Sequence, residues 1–218
     1  MPPLLLRLLL LLQVWGLREP PVPRLVLPLR ANVCSLEYCP SASHLLAVGS
    51  AGHQVHLFDL RAPRAPLAVL RGHAKAVSCV RWAGTGGVVS ASTDSTLRLW
   101  SGTAAAAAGS AGTDVFSGHS NSKHFVGLGT QGPLIACGSE TNEVFVYHQG
   151  LPRPRMQQGG GATNSGGASG GGGGGKSPFV SAVCWRRDSN VPLAANSRGG
   201  VWVLSLVTSG GGPGGSVQ

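Results

Sequence analysis

The chain has 218 residues, enough for one or two ordinary domains, and 42% of them are hydrophobic, enough for a buried core. Its 34 glycines and 15 prolines favour many short strands joined by turns over long helices. The formal net charge is +9, but the Arg and Lys residues are scattered singly and form no basic helix, so we expect no nucleic-acid partner. We interpret the charge instead as a preference for acidic peptide partners.

The cysteines indicate a reducing, intracellular compartment. Their number is odd, no CxxC pair or His-rich spacing is present, and most lie in apolar runs, where a free thiol behaves as a small buried hydrophobe. An N-glycosylation acceptor is absent as well. We therefore predict no metal site and no cofactor, and a location in the nucleus, with the cytoplasm as a second possibility. The five cysteines are Cys34, Cys39, Cys79, Cys137 and Cys184.

The first element in chain order is a leucine run over residues 4–12, interrupted only by Arg7. It resembles the apolar part of a secretory signal peptide, but a charged segment before it and a small-residue cleavage site after it are missing. It is too short to span a bilayer, so we expect no membrane partner. Residues 1–30 match no repeat, and two interpretations stay open for them: a signal that directs secretion, or a non-native extension from an uncertain start site.

Four segments downstream share one pattern, a polar turn followed by a strand in which apolar and polar residues alternate. This alternation predicts a half-buried strand in each segment. The segments span residues 50–58, 92–100, 139–147 and 196–204.

Two further strands precede each of these turns, so that a three-strand unit repeats along the chain. The nearer strands are predicted at 45–49, 88–91, 134–138 and 193–195, and the earlier ones at 33–38, 77–82, 125–128 and 180–185. The spacing of the units brackets the roughly 40 to 45 residues of a WD40 propeller blade. The sequence therefore predicts an all-β fold, a WD40 β-propeller with about four blades of a presumed seven-bladed ring over residues 31–207.

Two glycine-rich stretches interrupt or follow the repeats. We expect residues 159–175 to be a flexible loop between blades and residues 208–218 to be a disordered tail. The first stretch, with Lys176 and Ser177, also satisfies the phosphate-loop pattern G-x-x-x-x-G-K-S. We reject this match because a phosphate loop needs an apolar strand before it and a helix after it, whereas Pro178 here leads into a β-like run.

The second blade carries the fullest set of repeated polar residues. In WD40 blades a His before the first strand, a strand Ser, a turn Asp and a closing Trp form a buried hydrogen-bond chain. The members here are His73, Ser90 or Ser92, Asp94 and Trp100. We therefore interpret this set as structural and predict no catalytic residue. In the third blade, His119 meets Thr141 in the place of the Asp and Tyr147 in the place of the Trp, so we expect an incomplete chain there.

Several sequence segments contain residues that the structure of a blade does not require. They are found at residues 73–78, 90–100, 125–128, 136–148, which includes Gly-Ser-Glu-Thr-Asn-Glu-Val, and 179–185. These strings closely resemble the C-terminal propeller of the constitutive-photomorphogenesis ubiquitin ligases and their SPA (suppressor of phytochrome A) relatives. The resemblance covers about residues 31–207.

This resemblance implies a substrate receptor whose top face takes short peptides with a Val-Pro core and acidic flanks. By position, Lys75 resembles the family's lysine that meets the acidic part, and Phe125 the aromatic residue that meets the apolar core. The alternative is a solvated surface lysine and a buried strand phenylalanine. Ser122 departs from the family, which often has a glutamate there, so the details of peptide preference are in doubt.

The resemblance also implies docking on the cullin-4 ligase adaptor and on other ligase or SPA subunits. Phe58-Asp59-Leu60-Arg61 resembles the family's WDxR-like docking box, with Asp59 and Arg61 as the residues to test, although Asp59 alone can serve as a turn cap. The family's RING, its coiled coil and about three upstream blades have no counterpart here. We therefore expect a partial gene product that is not an enzyme by itself. A generic WD40 assembly scaffold unrelated to ubiquitin is the alternative function.

Overall fold

The computed structural model describes residues 10–14, 25–84, 86–102, 112–159, 177–187 and 189–204. Every regular element in these residues is a β-strand, and the strands form five antiparallel sheets. Among the described residues there is no helix that is long and apolar enough to cross a membrane. The prediction of an all-β, partial propeller is confirmed.

The strands follow one another in sheets that we number as blades. A two-stranded sheet of β1 (Leu10–Val14) and β2 (Leu25–Leu29) comes first. Blade 1 contains β3 (Val33–Cys39), β4 (Ala42–Ser50), β5 (Gln54–Asp59) and β6 (Ala68–Arg71). Blade 2 contains β7 (Val77–Trp82), β8 (Val88–Ser92), β9 (Thr96–Ser101) and β10 (Gly112–Phe116). Blade 3 contains β11 (Leu128–Gln131), β12 (Leu134–Gly138), β13 (Glu143–His148) and β14 (Leu151–Gly159), and blade 4 contains β15 (Val180–Trp185), β16 (Pro192–Asn196) and β17 (Val201–Val203).

The inner strands of a blade are buried because a neighbouring blade covers each face of the sheet. All five residues of β8 are buried, and its sequence of small apolar and serine residues suits a strand packed on both sides. The next strand, β9, alternates as predicted, with Leu97 and Leu99 buried opposite Ala91 and Val89.

Adjacent blades are joined along their first strands, β3, β7 and β11. The backbone N–H of Val80 in β7 donates to Ser35 Oγ in β3 at 3.1 Å. Thr130 Oγ1 in β11 donates to the carbonyl of Trp82 at 2.8 Å. These bonds place the first strands side by side, as in a propeller.

The hydrophobic core lies in layers between the blades. One buried cluster joins blades 1 and 2, and includes Val55, Leu57, Val80 and Trp100. A second joins blades 2 and 3, and a third joins blades 3 and 4. Each blade thus buries its apolar face only against its neighbours.

The N-terminal sheet covers the free side of blade 1. Leu27 and Leu29 of β2 are buried against Leu46, Val48 and Phe58. These two strands are not evident from the repeat pattern of the sequence, and part of the leucine run, residues 10–12, lies in β1. Residues 4–9 of that run, residues 160–175 of the predicted glycine-rich loop 159–175 and the tail at 208–218 lie outside the described residues.

One strand prediction is wrong. The first strand of blade 3 was expected at residues 125–128, but β11 begins at Leu128 and ends at Gln131. Phe125 instead lies in the loop before the strand, and the residue is 52% exposed. This loop becomes part of the candidate site.

Candidate functional site

The candidate site lies at one end of the blades, which we call the top face. In blade 2 the start of β7 lies beside the end of β8, since Val77 is opposite Ser92. The loop 72–76, which enters β7, and the turn 93–95, which leaves β8, therefore share this face. In blade 3 the equivalent segments are the loop 117–127 and the turn 139–142.

A buried hydrogen-bond chain supports the loop 72–76. His73 Nε2 lies 2.8 Å from Ser90 Oγ, which also accepts a bond from Trp100 Nε1 at 2.8 Å. His73 Nδ1 lies 3.0 Å from Asp94 Oδ2. The structure thus brings together His73, Ser90, Asp94 and Trp100, and Ser90 rather than Ser92 takes the serine position. Because burial lowers the pKa of His73, a neutral ring with its proton on Nδ1 satisfies every bond in the chain.

This arrangement has no access for a substrate. The Ser90 side chain is fully buried and its oxygen is held by two neighbours. The set is a structural support for the top-face loop rather than a nucleophile with a base.

Asp94 links this support to the loop that carries Lys75. Its Oδ2 accepts the backbone N–H of Ala74 at 2.9 Å, and Ser92 Oγ donates to the Lys75 carbonyl at 3.1 Å. Burial raises the pKa of Asp94, but hydrogen bonds from Thr96, Ala74 and His73 outweigh it and leave the pKa below its usual value. The backbone around Lys75 is fixed while its side chain is exposed.

A second carboxylate holds the loop that carries Phe125. Glu140 Oε1 accepts the backbone N–H groups of Ser122 at 2.9 Å, Lys123 at 2.6 Å and His124 at 2.8 Å. Ser122 Oγ donates to Glu140 Oε2 at 2.9 Å. Burial raises the pKa of Glu140, but these bonds more than offset that effect and lower its pKa to about 2.

Two further contacts connect this loop to the neighbouring blades. The His124 and Phe179 rings are stacked, with centroids 4.2 Å apart and an interplanar angle of 10°. On the other side, the backbone N–H of Asn121 donates to Ser95 Oγ at 3.0 Å, and this hydroxyl donates to the Asn121 carbonyl at 3.0 Å. The loops of blades 2, 3 and 4 therefore form one continuous surface.

Sequence reasoning missed Glu140, His124 and Phe179. Glu140 lies in the segment Gly-Ser-Glu-Thr-Asn-Glu-Val. Blade structure does not require this segment, and that excess was the sequence feature that could have indicated a role for Glu140. The stack of His124 on Phe179 joins residues of two blades and has no signature in the sequence.

The incomplete chain of blade 3 lies beneath this loop. His119 Nδ1 lies 3.1 Å from the Tyr147 hydroxyl, and Ser139 Oγ lies 2.8 Å from Thr141 Oγ1. Burial lowers the pKa of His119 to about 4. No hydrogen bond to a carboxylate from this ring is seen in the described residues.

Asp59 and Arg61 lie at the opposite end of the blades. Arg61 Nη2 is 2.6 Å from Asp59 Oδ2, and the Arg61 backbone N–H donates to Asp59 Oδ1 at 2.9 Å. The hydrogen bond from the Arg61 side chain lowers the pKa of Asp59 to about 2. Asp59 is therefore both a turn cap and an ion-pair partner, and 69% of the Arg61 side chain remains exposed. The structure does not bring this pair near Lys75 or Phe125.

The blades are similar to a known repeat family and to known propeller folds. The WD domain, G-beta repeat family model matches residues 64–101. Two computationally designed proteins, Ika4 and Ika8, share the fold at 16% sequence identity, with TM-scores of 0.58 and 0.60. The alignments cover 80% of this chain and 91% of Ika4, and 81% of this chain and 46% of Ika8. The chain is a WD40 β-propeller protein.

Similarity to individual proteins defines a narrower family within this class. E3 ubiquitin-protein ligase COP1 from Arabidopsis thaliana is 43% identical over 178 residues, which is 82% of this chain and 25% of COP1. Protein SPA1-RELATED 3 from the same plant is 42% identical over 82% of this chain and 21% of its own length. Protein SUPPRESSOR OF PHYA-105 1 is 43% identical over 81% of this chain and 17% of its own length. The repeat region is a WD40 domain of the COP1 and SPA family, and the chain spans about a quarter or less of the length of these relatives.

Proposed function

We propose that this chain is a receptor that binds peptides with a Val-Pro core and acidic flanks on its top face, as part of a nuclear ubiquitin-ligase complex. The observation that carries the proposal is the exposure of Lys75 and Phe125 on one face, on loops of adjacent blades. The similarity to COP1 and SPA proteins supports a ligase-associated role.

The chemistry of the two residues suits such a peptide. The Lys75 ammonium offers a charge-assisted contact to a carboxylate, and the half-exposed Phe125 ring offers rigid apolar area at low entropic cost. The nearby carboxylates of Asp94 and Glu140 are occupied by backbone N–H groups. Their oxygens are therefore bound by amides rather than by the Lys75 ammonium, which can contact the carboxylate of an acidic peptide.

Reversing the charge of Lys75 tests the proposal. We expect Lys75→Glu to weaken binding of an acidic Val-Pro peptide by roughly tenfold or more, since a charge-assisted contact is worth about 1.5–3 kcal/mol and repulsion replaces it. The measurement is a fluorescence polarisation titration of the full chain.

The matched control is Arg155→Glu, which makes the same change of net charge at an exposed position of the outer strand β14. This variant keeps near wild-type affinity if the effect is local. Failure of the wild type to bind the peptide would sink the proposal and leave the assembly scaffold as the alternative function.

We further propose that Asp59 and Arg61 form a second surface, which docks on the cullin-4 ligase adaptor. The supporting observation is the forked ion pair between them, which fixes the direction of an exposed guanidinium. Because this surface is at the opposite end of the blades from Lys75, a peptide and an adaptor would bind without competition.

Arg61→Ala should reduce the co-purified adaptor at least fivefold while the affinity for the peptide stays unchanged, because it removes one guanidinium from the docking surface. Arg64→Ala, at another exposed arginine of the same loop, is the control and should retain the adaptor. Equal recovery of the adaptor with both variants would contradict docking through Arg61.

A further inference from the structure

We propose that Glu140 is the positioning residue of the top face, which holds the loop 117–127 so that Phe125 is presented to a bound peptide. The inference rests on the proposed peptide-binding function and names the residue that organises that site.

Glu140 is bonded to the loop that carries Phe125 at several successive positions. Glu140 accepts three consecutive backbone N–H groups, and the last of them belongs to His124, the residue directly before Phe125. The hydroxyl of Ser122 supplies a fourth donor, and the backbone N–H of Glu140 donates to the Ser120 carbonyl at 2.8 Å. Fixing successive amides of a loop in this way restricts its backbone to one conformation.

Phe125 is exposed between two anchored neighbours, namely Val126, which is buried in the core, and His124, whose amide Glu140 holds. Phe125 is 52% exposed and lies three residues before the first residue of β11. An exposed ring whose backbone moves freely would lose conformational freedom on binding, which weakens affinity. A loop already held by Glu140 avoids that loss.

Blade 2 shows the same device at the other candidate contact. There Asp94 accepts the backbone N–H of Ala74, the residue directly before Lys75. Each candidate contact residue thus follows an amide held by a carboxylate from the turn of its own blade. This parallel points to a common role in presenting side chains, in addition to the role of Asp94 in its own blade.

Substituting Glu140 by Gln distinguishes a positioning role from simple electrostatics, because the two predict opposite changes in the affinity for an acidic peptide. The substitution removes one negative charge near the site, so electrostatics alone would tighten the binding of an acidic peptide. If Glu140 positions the loop, a neutral acceptor holds the amides less well, the competent fraction of the loop falls, and the peptide binds roughly tenfold more weakly.

Glu143→Gln is the matched control. Glu143 lies three residues after Glu140, at the start of β13, and carries the same charge, but it is bonded to side chains, Thr141 Oγ1 and Gln157 Nε2, rather than to the loop amides. We expect its substitution to leave the peptide affinity unchanged or slightly tighter.

A double-mutant cycle shows whether Glu140 acts through Phe125. We expect Glu140→Gln to have no further effect in a Phe125→Ala background, and its full effect in a Lys75→Ala background. Amide hydrogen exchange should rise at least tenfold at residues 122–124 in Glu140→Gln and stay unchanged at Ala74, with a melting temperature close to that of the wild type.

The outcomes are distinguishable. Wild-type binding with unchanged or tighter binding by Glu140→Gln overturns the positioning role alone, and so does an effect that is additive with Phe125→Ala. Absence of wild-type binding overturns the proposed function, and this inference with it.

Discussion

At the scale of single residues, the top face depends on carboxylates that bind backbone amides instead of cations. Glu140 and Asp94 both lie in the turn between the second and third strands of their blades, and both accept backbone N–H groups of the neighbouring top-face loop. Ser122, where the resembled family often has a glutamate, contributes a donor to this arrangement. A glutamate at this position would set a second carboxylate beside Glu140, whereas the serine hydroxyl stabilises it.

The two blade histidines differ because only one has a carboxylate partner. His73 is bonded to Asp94, which offsets part of the effect of burial on its pKa. His119 is bonded to the Tyr147 hydroxyl, and its pKa falls from 6.5 to about 4 because burial disfavours the charged ring. The third blade therefore contains a histidine that the folded chain keeps neutral.

This difference predicts a loss of stability in acid. Between about pH 6.5 and pH 4 the unfolded chain binds a proton at His119 that the folded chain does not, so the free energy of unfolding decreases as the pH falls through this window and levels off below it. The full effect of this residue is roughly 3 kcal/mol. Urea unfolding at a series of pH values should show a shallower dependence for His119→Gln than for the wild type. An identical pH dependence of the two proteins would contradict a neutral buried His119.

At the scale of elements, the half-buried strands can be predicted from the sequence, whereas the strands at the edges of the sheets cannot. The third strands of the blades alternate clearly, and all four were predicted. The fourth strands were not: β6 has only four residues, and β14 contains Pro152 and Pro154, which break the expected pattern. Prolines are tolerated there because an edge strand does not need every N–H for pairing.

The misplaced strand at residues 125–128 has a physical reason. Phe-Val-Gly-Leu has the composition of a strand, but pairing with β12 begins only at Leu128, opposite Cys137. Composition does not tell which apolar residues find a partner across the sheet. The same limit applies to the site: resemblance named Lys75 and Phe125, while Glu140 lies 16 residues from the amide of His124 and needed the fold to be recognised.

At the scale of the whole molecule, neighbouring blades are held together by different kinds of contact at different interfaces. Gly127 and Gly138 of blade 3 face blade 4, and the backbone N–H of Gly127 approaches the carbonyl of Val180 at 3.4 Å. Blades 1 and 2 are joined instead by side chains, including Glu37, which accepts the backbone N–H of Trp82 at 2.6 Å. Because each blade buries its core only against its neighbours, the weakest interface limits the stability of the arc.

The contact at Gly127 gives the sharpest test of this architecture. A Cβ atom at Gly127 would lie 2.3 Å from the nitrogen of Val183 and 2.5 Å from the carbonyl carbon of Ala182, and backbone atoms cannot rotate away. Gly127→Ala must therefore push blades 3 and 4 apart, at an expected loss of about 2 kcal/mol or more in the free energy of unfolding. At Gly159 an added Cβ would meet only Glu143 Cγ, at 3.9 Å, so Gly159→Ala is the control. Both substitutions restrict the unfolded chain equally, and the difference between their urea midpoints isolates the contact between blades. Equal midpoints would mean that blades 3 and 4 are not in backbone contact at Gly127.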